Sequence, residues 1–158
     1  MYSFKIFAKT NITPSFNLIY LGISMDVLEP KAMQDFIYWK MEHDIPTLDE
    51  DFDVIGSEVS KLDVLEVYQK QASIAGSAED HKAKDILRLV LLEVISKSRY
   101  GIKKKLELIE LVYSTFEYPP EMNSFIYYMP SETGANSPEE LMDNFHSFLA
   151  KEHNRLKI

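Results

Sequence analysis

The chain of 158 residues contains no cysteine, five glycines and one tryptophan. Without cysteine there is no disulfide framework, no thiolate nucleophile, no iron–sulfur site and no Cys-ligated zinc. Glycine is sparse, and none of it forms the phosphate-cradling loop on which a nucleotide pocket is commonly built. Long apolar runs are missing too. The most apolar stretch, around Ile86 to Ile95, is broken by Arg88 and Glu93 and falls short of the ~20 residues a membrane span needs. The opening Met1-Tyr2-Ser3-Phe4-Lys5-Ile6-Phe7 lacks a basic leader followed by a long apolar run, so it does not read as a secretory signal. These absences point to a cytoplasmic protein with no membrane association. Positive charge is also short, with 17 Lys+Arg against 25 Asp+Glu and a formal net charge of -8. Such a chain is a poor general binder of nucleic acid, because affinity there comes mostly from neutralising phosphates. It suits a basic partner, or simply stays soluble.

What is present reads as helix. Hydrophobic residues make up 46% and charged residues 27%, a globular composition. The length fits a single domain over residues 1–158 with an ordinary core. Thr13-Pro14 offers a cap followed by proline at the first helical position. Phe16, Ile19, Tyr20 and Ile23 then fall on one helical face. Gly22 weakens the last turn of that helix. Pro30 opens a second helix carrying Met33, Phe36, Ile37 and Met41. Thr47 and Glu50 fit a capping box. Ser60 to Asp63 starts a further helix through Tyr68 and Ala72, with Gly76 as its stop, and Ser77 caps the next. That next helix is apolar around most of its circumference, which predicts a central position. Gly101 precedes a helix over Ile102 to Phe116, ended by Pro119-Pro120. Thr133-Gly134-Ala135-Asn136 is a turn. Ser137-Pro138-Glu139-Glu140 starts a last helix toward Arg155, with Leu141, Met142, Phe145, Phe148, Leu149 and Leu156 inward. Strand signals are confined to Tyr2 to Phe7 and Phe125 to Met129, too few for a sheet. The expectation is an all-α, irregular domain of about six or seven helices with antiparallel neighbours.

Two charged stretches stand out. Glu42, Asp44, Asp49, Glu50, Asp51 and Asp53 lie together with no Lys or Arg among them. Asp49, Asp51 and Asp53 have the 1, 3, 5 spacing of a calcium loop, but Val54 and Ser60 stand where the loop needs Gly and Glu. A solvated loop or a docking surface for a basic partner fits better, since one-sign patches steer association. Lys97, Arg99, Lys103, Lys104 and Lys105 form the opposite patch. It reads as solvated lysines, as a partner for the acidic stretch in the same molecule, or as a phosphate or nucleic-acid site.

Metal and acid–base chemistry have weaker support. Glu139, Asp143, His146 and His153 share a face of the last helix. Neither the Glu-x-x-His of di-iron bundles nor His-Glu-x-x-His occurs. No cofactor or metal is called for, and no catalytic residue is marked. The aromatic stretch Phe116-Glu117-Tyr118-Pro119-Pro120-Glu121-Met122, then Phe125-Ile126-Tyr127-Tyr128-Met129-Pro130, has more character. Its rings would either clamp a loop on the core or meet a partner, where Tyr and Met are favoured.

That stretch resembles the bacterial family known as domain of unknown function 2247. Asn11 to Ser15 and Leu18 to Gly22 look like the family's opening helix, and Pro30 to Trp39 like its second. The resemblance implies a small cytoplasmic bacterial protein and carries over no catalytic residues. By analogy with other small acidic families it suggests an immunity protein that binds a toxin. The resulting expectation is a non-enzymatic protein-binding module, an immunity protein or regulator. Glu42, Asp44, Asp49, Glu50, Asp51 and Asp53 would meet its basic partner, with Tyr127 or Tyr128 as an aromatic anchor. The rivals are a carboxylate- and histidine-based or metal-dependent enzyme, and a phosphate or nucleic-acid binder acting through Lys97 to Lys105.

Overall fold

A computed structural model describes residues 1–74, 77–128 and 137–158. Within them the chain forms seven α-helices: α1 (Phe16–Ser24), α2 (Lys31–Glu42), α3 (Lys61–Val67), α4 (Gln69–Ile74), α5 (Ser77–Lys97), α6 (Ile102–Thr115) and α7 (Pro138–Leu156). Three 3-10 turns accompany them: Phe4–Lys9 ahead of α1, Asp49–Asp53 between α2 and α3, and Pro120–Phe125 between α6 and α7. The all-α expectation is met. The chain divides into two compact units, Met1–Leu87 and Arg88–Ile158, with the division falling inside α5. The expected stop at Gly76, the turn Thr133 to Asn136, and Met129 with Pro130 lie outside the described residues.

In the first unit the sequence signals are met with shifts that have local causes. The cap of α1 is Ser15, not Thr13: its hydroxyl accepts the Leu18 amide at 3.3 Å. Pro14 lies buried just ahead of the helix instead of inside it. Gly22 is required where it stands. A Cβ there would lie 2.6 Å from Leu28 Cδ1, and Leu28 is fully buried. The Gly22 carbonyl also accepts the amides of Val27 and Leu28, at 2.8 and 2.9 Å. The glycine therefore lets the chain turn back against its own helix. Tyr2 to Phe7 does not form a strand. Tyr2 makes one isolated parallel bridge to Leu28, and Phe4–Lys9 coils into a 3-10 turn that buries Ile6 and Phe7. The anticipated helix through Ala72 breaks into α3 and α4 at Tyr68. Its start is as expected, with the Ser60 hydroxyl accepting the Asp63 amide and the Asp63 carboxylate accepting the Ser60 amide.

In the second unit Leu89, Val90, Leu91, Leu92 and Ile95 of α5 are all buried. A helix apolar on most sides needs neighbours on most sides, and within its unit this one meets the turn Pro120–Phe125 and α7 through Arg88, and α6 through the Ser96 carbonyl. The helix α6 stops at Thr115, before the prolines. The Glu117 amide donates to the Ser114 carbonyl and the Tyr118 amide to the Tyr113 carbonyl, at 3.1 and 2.9 Å. Those two bonds, with left-handed Glu117 at φ 63°, form a Schellman ending. The Tyr113 and Tyr118 rings meet edge to face at 5.3 Å across it, the apolar contact that accompanies this motif. Ser137 caps α7 through the Glu140 amide, and Pro138 takes the first turn, as its sequence implies. The apolar run at Phe125 is not extended, since Phe125 closes the 3-10 turn Pro120–Phe125.

Candidate partner-binding surfaces

The acidic stretch follows α2 and is organised by one residue that points the wrong way for a surface charge. Asp51 is 1% exposed. One carboxylate oxygen accepts the Lys40 ammonium at 2.7 Å and the Leu48 amide at 2.8 Å; the other accepts the Tyr68 hydroxyl at 2.5 Å. Lys40 and Tyr68 are buried as well, and Lys40 Nζ lies 5.2 Å from the Phe36 ring centre. A carboxylate can be buried only where an opposite charge and hydrogen bonds replace water; here Lys40 supplies the charge, and the Leu48 amide and Tyr68 hydroxyl the further hydrogen bonds. Burial, then the Asp51 carboxylate, push the Tyr68 hydroxyl far above its ordinary value, so it stays a proton donor. The capping bond expected of Thr47 and Glu50 is thus made by Asp51 to Leu48.

Asp51 therefore leaves the set of acids that can meet a partner. Glu42, Asp44, Asp49 and Asp53 are exposed and Glu50 is half-buried. A hydrogen bond from Gln71, then one from the backbone, hold Glu50 below the usual carboxylate range. Phe52, between the buried Asp51 and exposed Asp53, is 68% exposed. Sequence reading missed it, though an aromatic inside an acidic run with no apolar periodicity around it is a visible signal. Gln34 of α2 steadies the far side by donating to the Val54 carbonyl at 2.6 Å and to the Ser57 carbonyl. Asp49 and Asp53 are exposed while Asp51 is buried, so the three do not converge. Among the described residues no group of three His, Asp or Glu side chains could hold a metal ion.

The second unit has its own buried charge. Arg88 of α5 is 3% exposed. It donates to Glu121 at 2.7 Å and to Glu152 at 3.1 Å, with its guanidinium 5.5 Å from the Phe148 ring centre. Glu152 also accepts two bonds from Arg155, both at 2.8 Å. For Glu121, burial pushes the carboxyl up, but the Arg88 hydrogen bond and charge outweigh it and hold it low. For Glu152, the Arg155 hydrogen bond leads and burial opposes; the carboxyl again ends low.

Three lysines of the basic patch pair locally, while Arg99 and Lys103 are exposed. Lys97 lies 3.4 Å from Glu93, Lys104 lies 3.9 Å from Glu107, and Lys105 donates to the Ser96 carbonyl at 2.9 Å. His153 meets Glu93 at 2.6 Å. Of the face read as a candidate metal site, Glu139, Asp143 and His146 are exposed. The aromatic stretch divides by residue. Phe116, Met122, Phe125 and Ile126 are buried and clamp the loop, with Phe125 against the rings of Phe145 and Phe148 at 5.5 and 5.1 Å. Tyr118, Tyr127 and Tyr128 are exposed.

Residues 4–153 match the model of the family domain of unknown function 2247, described as an uncharacterized protein conserved in bacteria. The chain belongs to this family. In domain of unknown function 2247 terms, the match starts at the 3-10 turn Phe4–Lys9 and ends within α7, so it takes in both the Asp51 cluster and the Arg88 cluster. The aromatic stretch that carries the resemblance lies inside it. No curated protein and no solved structure matches the chain. No helix among the described residues is long and apolar enough to cross a membrane.

Proposed function

We propose that this member of the family is a cytoplasmic, non-enzymatic protein-binding module, an immunity protein or regulator, that meets a basic partner with the acidic stretch of its first unit. One observation carries the reading. The inward pull of Lys40 and Tyr68 on Asp51 fixes the turn Asp49–Asp53, which leaves exposed Asp49, Phe52 and Asp53 on a rigid support. Glu42 and Asp44 extend the negative surface along the chain. Exposed like charges attract a basic partner from a distance and set its orientation. A large aromatic among them supplies the area that holds a complex once formed. A turn already fixed loses less freedom on binding than a mobile loop would. A toxin is the natural basic partner for an immunity protein, and Tyr127 or Tyr128 supplies a further aromatic contact.

The test uses the purified products of neighbouring genes as candidate partners, with binding kinetics followed by surface plasmon resonance. For a true partner, neutralising Glu42, Asp44, Asp49 and Asp53 to amides should slow association by at least about tenfold at low salt and flatten its salt dependence. Phe52→Ala should mainly speed dissociation. If the neutralised variant binds as fast and as tightly as the original, the acidic stretch is not the interface.

A further inference from the structure

The second unit contains a cavity of about 650 Å³ whose walls and charges differ in kind. Ile102 and Leu106 of α6 and Pro138 of α7 form an apolar wall, Tyr127 supplies an exposed ring, and Glu107 and Glu110 contribute two carboxylates one helical turn apart. We propose that this cavity docks a short basic segment of a partner protein, seating one lysine or arginine side chain with its stem on the apolar wall and its cation between Glu107, Glu110 and the Tyr127 ring. The proposal extends the reading of a basic partner, but it concerns a different unit and different carboxylates, sharing only Tyr127 with that reading.

Charge complementarity selects the occupant. Glu110 is half-buried, and among the described residues no cation pairs with it. Burial, then the nearby Glu107, push its carboxyl above the ordinary range, which marks a site short of positive charge. Among the described residues Glu107 pairs only with the distant Lys104, at 3.9 Å. Lys103 also borders the cavity, but it is exposed and joins neither carboxylate in an ion pair, so the acids outnumber the base. An aliphatic stem ending in a cation matches such a mixed wall, because long basic side chains lay methylenes on apolar surface and keep the charge at the rim. An aromatic ring adds attraction for a cation near its face. A cavity of this size holds more than one side chain, which favours a peptide segment over an isolated amine.

The probes are the blocked tripeptides acetyl-Leu-Lys-Leu-amide and acetyl-Leu-norleucine-Leu-amide, with spermidine as a free amine. Binding to the full chain is followed by NMR of the Ile102 and Leu106 methyls. The lysine peptide should shift these signals and bind about tenfold more tightly than the norleucine peptide, the scale of one charge-assisted contact. Glu110→Gln and Tyr127→Ala should each weaken it several-fold, and Glu107→Gln provides an independent variant of the same carboxylate pair. Asp49→Asn/Asp53→Asn should leave it unchanged, so failure of the acidic turn and failure of this cavity give different results. Equal affinity for the two peptides, no effect of either carboxylate change, or tighter binding of spermidine than of the lysine peptide would each overturn the proposal.

Discussion

Asp51 holds the first unit's acidic turn in place through a pair of charges that would be costly apart. Lys40 and Asp51 are both buried, and Tyr68 completes the cluster. Removing one charge leaves the other in an apolar setting without compensation, whereas replacing both does not. Lys40→Met should therefore destabilise the protein by about 3–5 kcal/mol. The double variant Lys40→Met/Asp51→Asn, which removes both charges but keeps an acceptor for Tyr68 and Leu48, should recover part of that loss, and the coupling between the two changes is the quantity to measure by urea unfolding. Simple additivity of the two single variants would contradict a coupled pair. The sequence did not disclose this inward turn, because Asp51 stands among acids of the same kind and its partners are 11 and 17 positions away. Glu42, Asp44, Asp49 and Asp53 are exposed acids; only the three-dimensional partners separate Asp51 from them.

The elements of the second unit are joined by a charge in its most apolar helix. Arg88 is the point where α5 meets Glu121 of the 3-10 turn Pro120–Phe125 and Glu152 of α7. Its deletion takes one of two guanidinium partners from the buried Glu152 and leaves that carboxylate to Arg155. Arg88→Met keeps the stem's volume while removing the guanidinium, and should cost about 1–3 kcal/mol in urea unfolding at neutral pH, because Arg155 still compensates Glu152. The companion Arg88→Met/Glu152→Met should lose less; an Arg88→Met variant as stable as the original would show that the network is dispensable. At this scale the sequence was informative where local chemistry decides. Ser137-Pro138 and Ser60 with Asp63 gave helix starts because a hydroxyl cap acts within three residues. Thr13 misled because Ser15, two residues on, offers the same chemistry closer to the helix. Arg88 was visible only as an interruption of an apolar run. A charge set in such a run, with Leu91 and Leu92 on its helical face, needs buried partners. Which acids they were could not be read, since Glu121 and Glu152 are 33 and 64 positions away.

Across the whole molecule, the net charge of -8 conceals carboxylates that act in opposite senses on stability. Glu121 and Glu152 are held below the ordinary range by their arginines. A depressed carboxyl contributes stability that is full above its unfolded value, about 4.3, and is lost as pH falls through the folded value. Glu110 is raised; its contribution is full below the unfolded value and is lost as pH rises through the folded one. Tyr68 is raised too, so its contribution is intact below the unfolded tyrosine value of about 10 and declines as pH climbs beyond it. The urea midpoint should therefore be highest between these limits, falling below roughly pH 4.5 and again above roughly pH 10. Two substitutions separate the causes. Glu152→Gln should flatten the acid limb, because it removes a group that must be protonated there. Tyr68→Phe should flatten the alkaline limb and leave the acid limb alone. If both variants kept the parent's profile on both sides, the two buried clusters would not control the pH response, and the fall at either extreme would have to come from the unpaired surface acids and lysines.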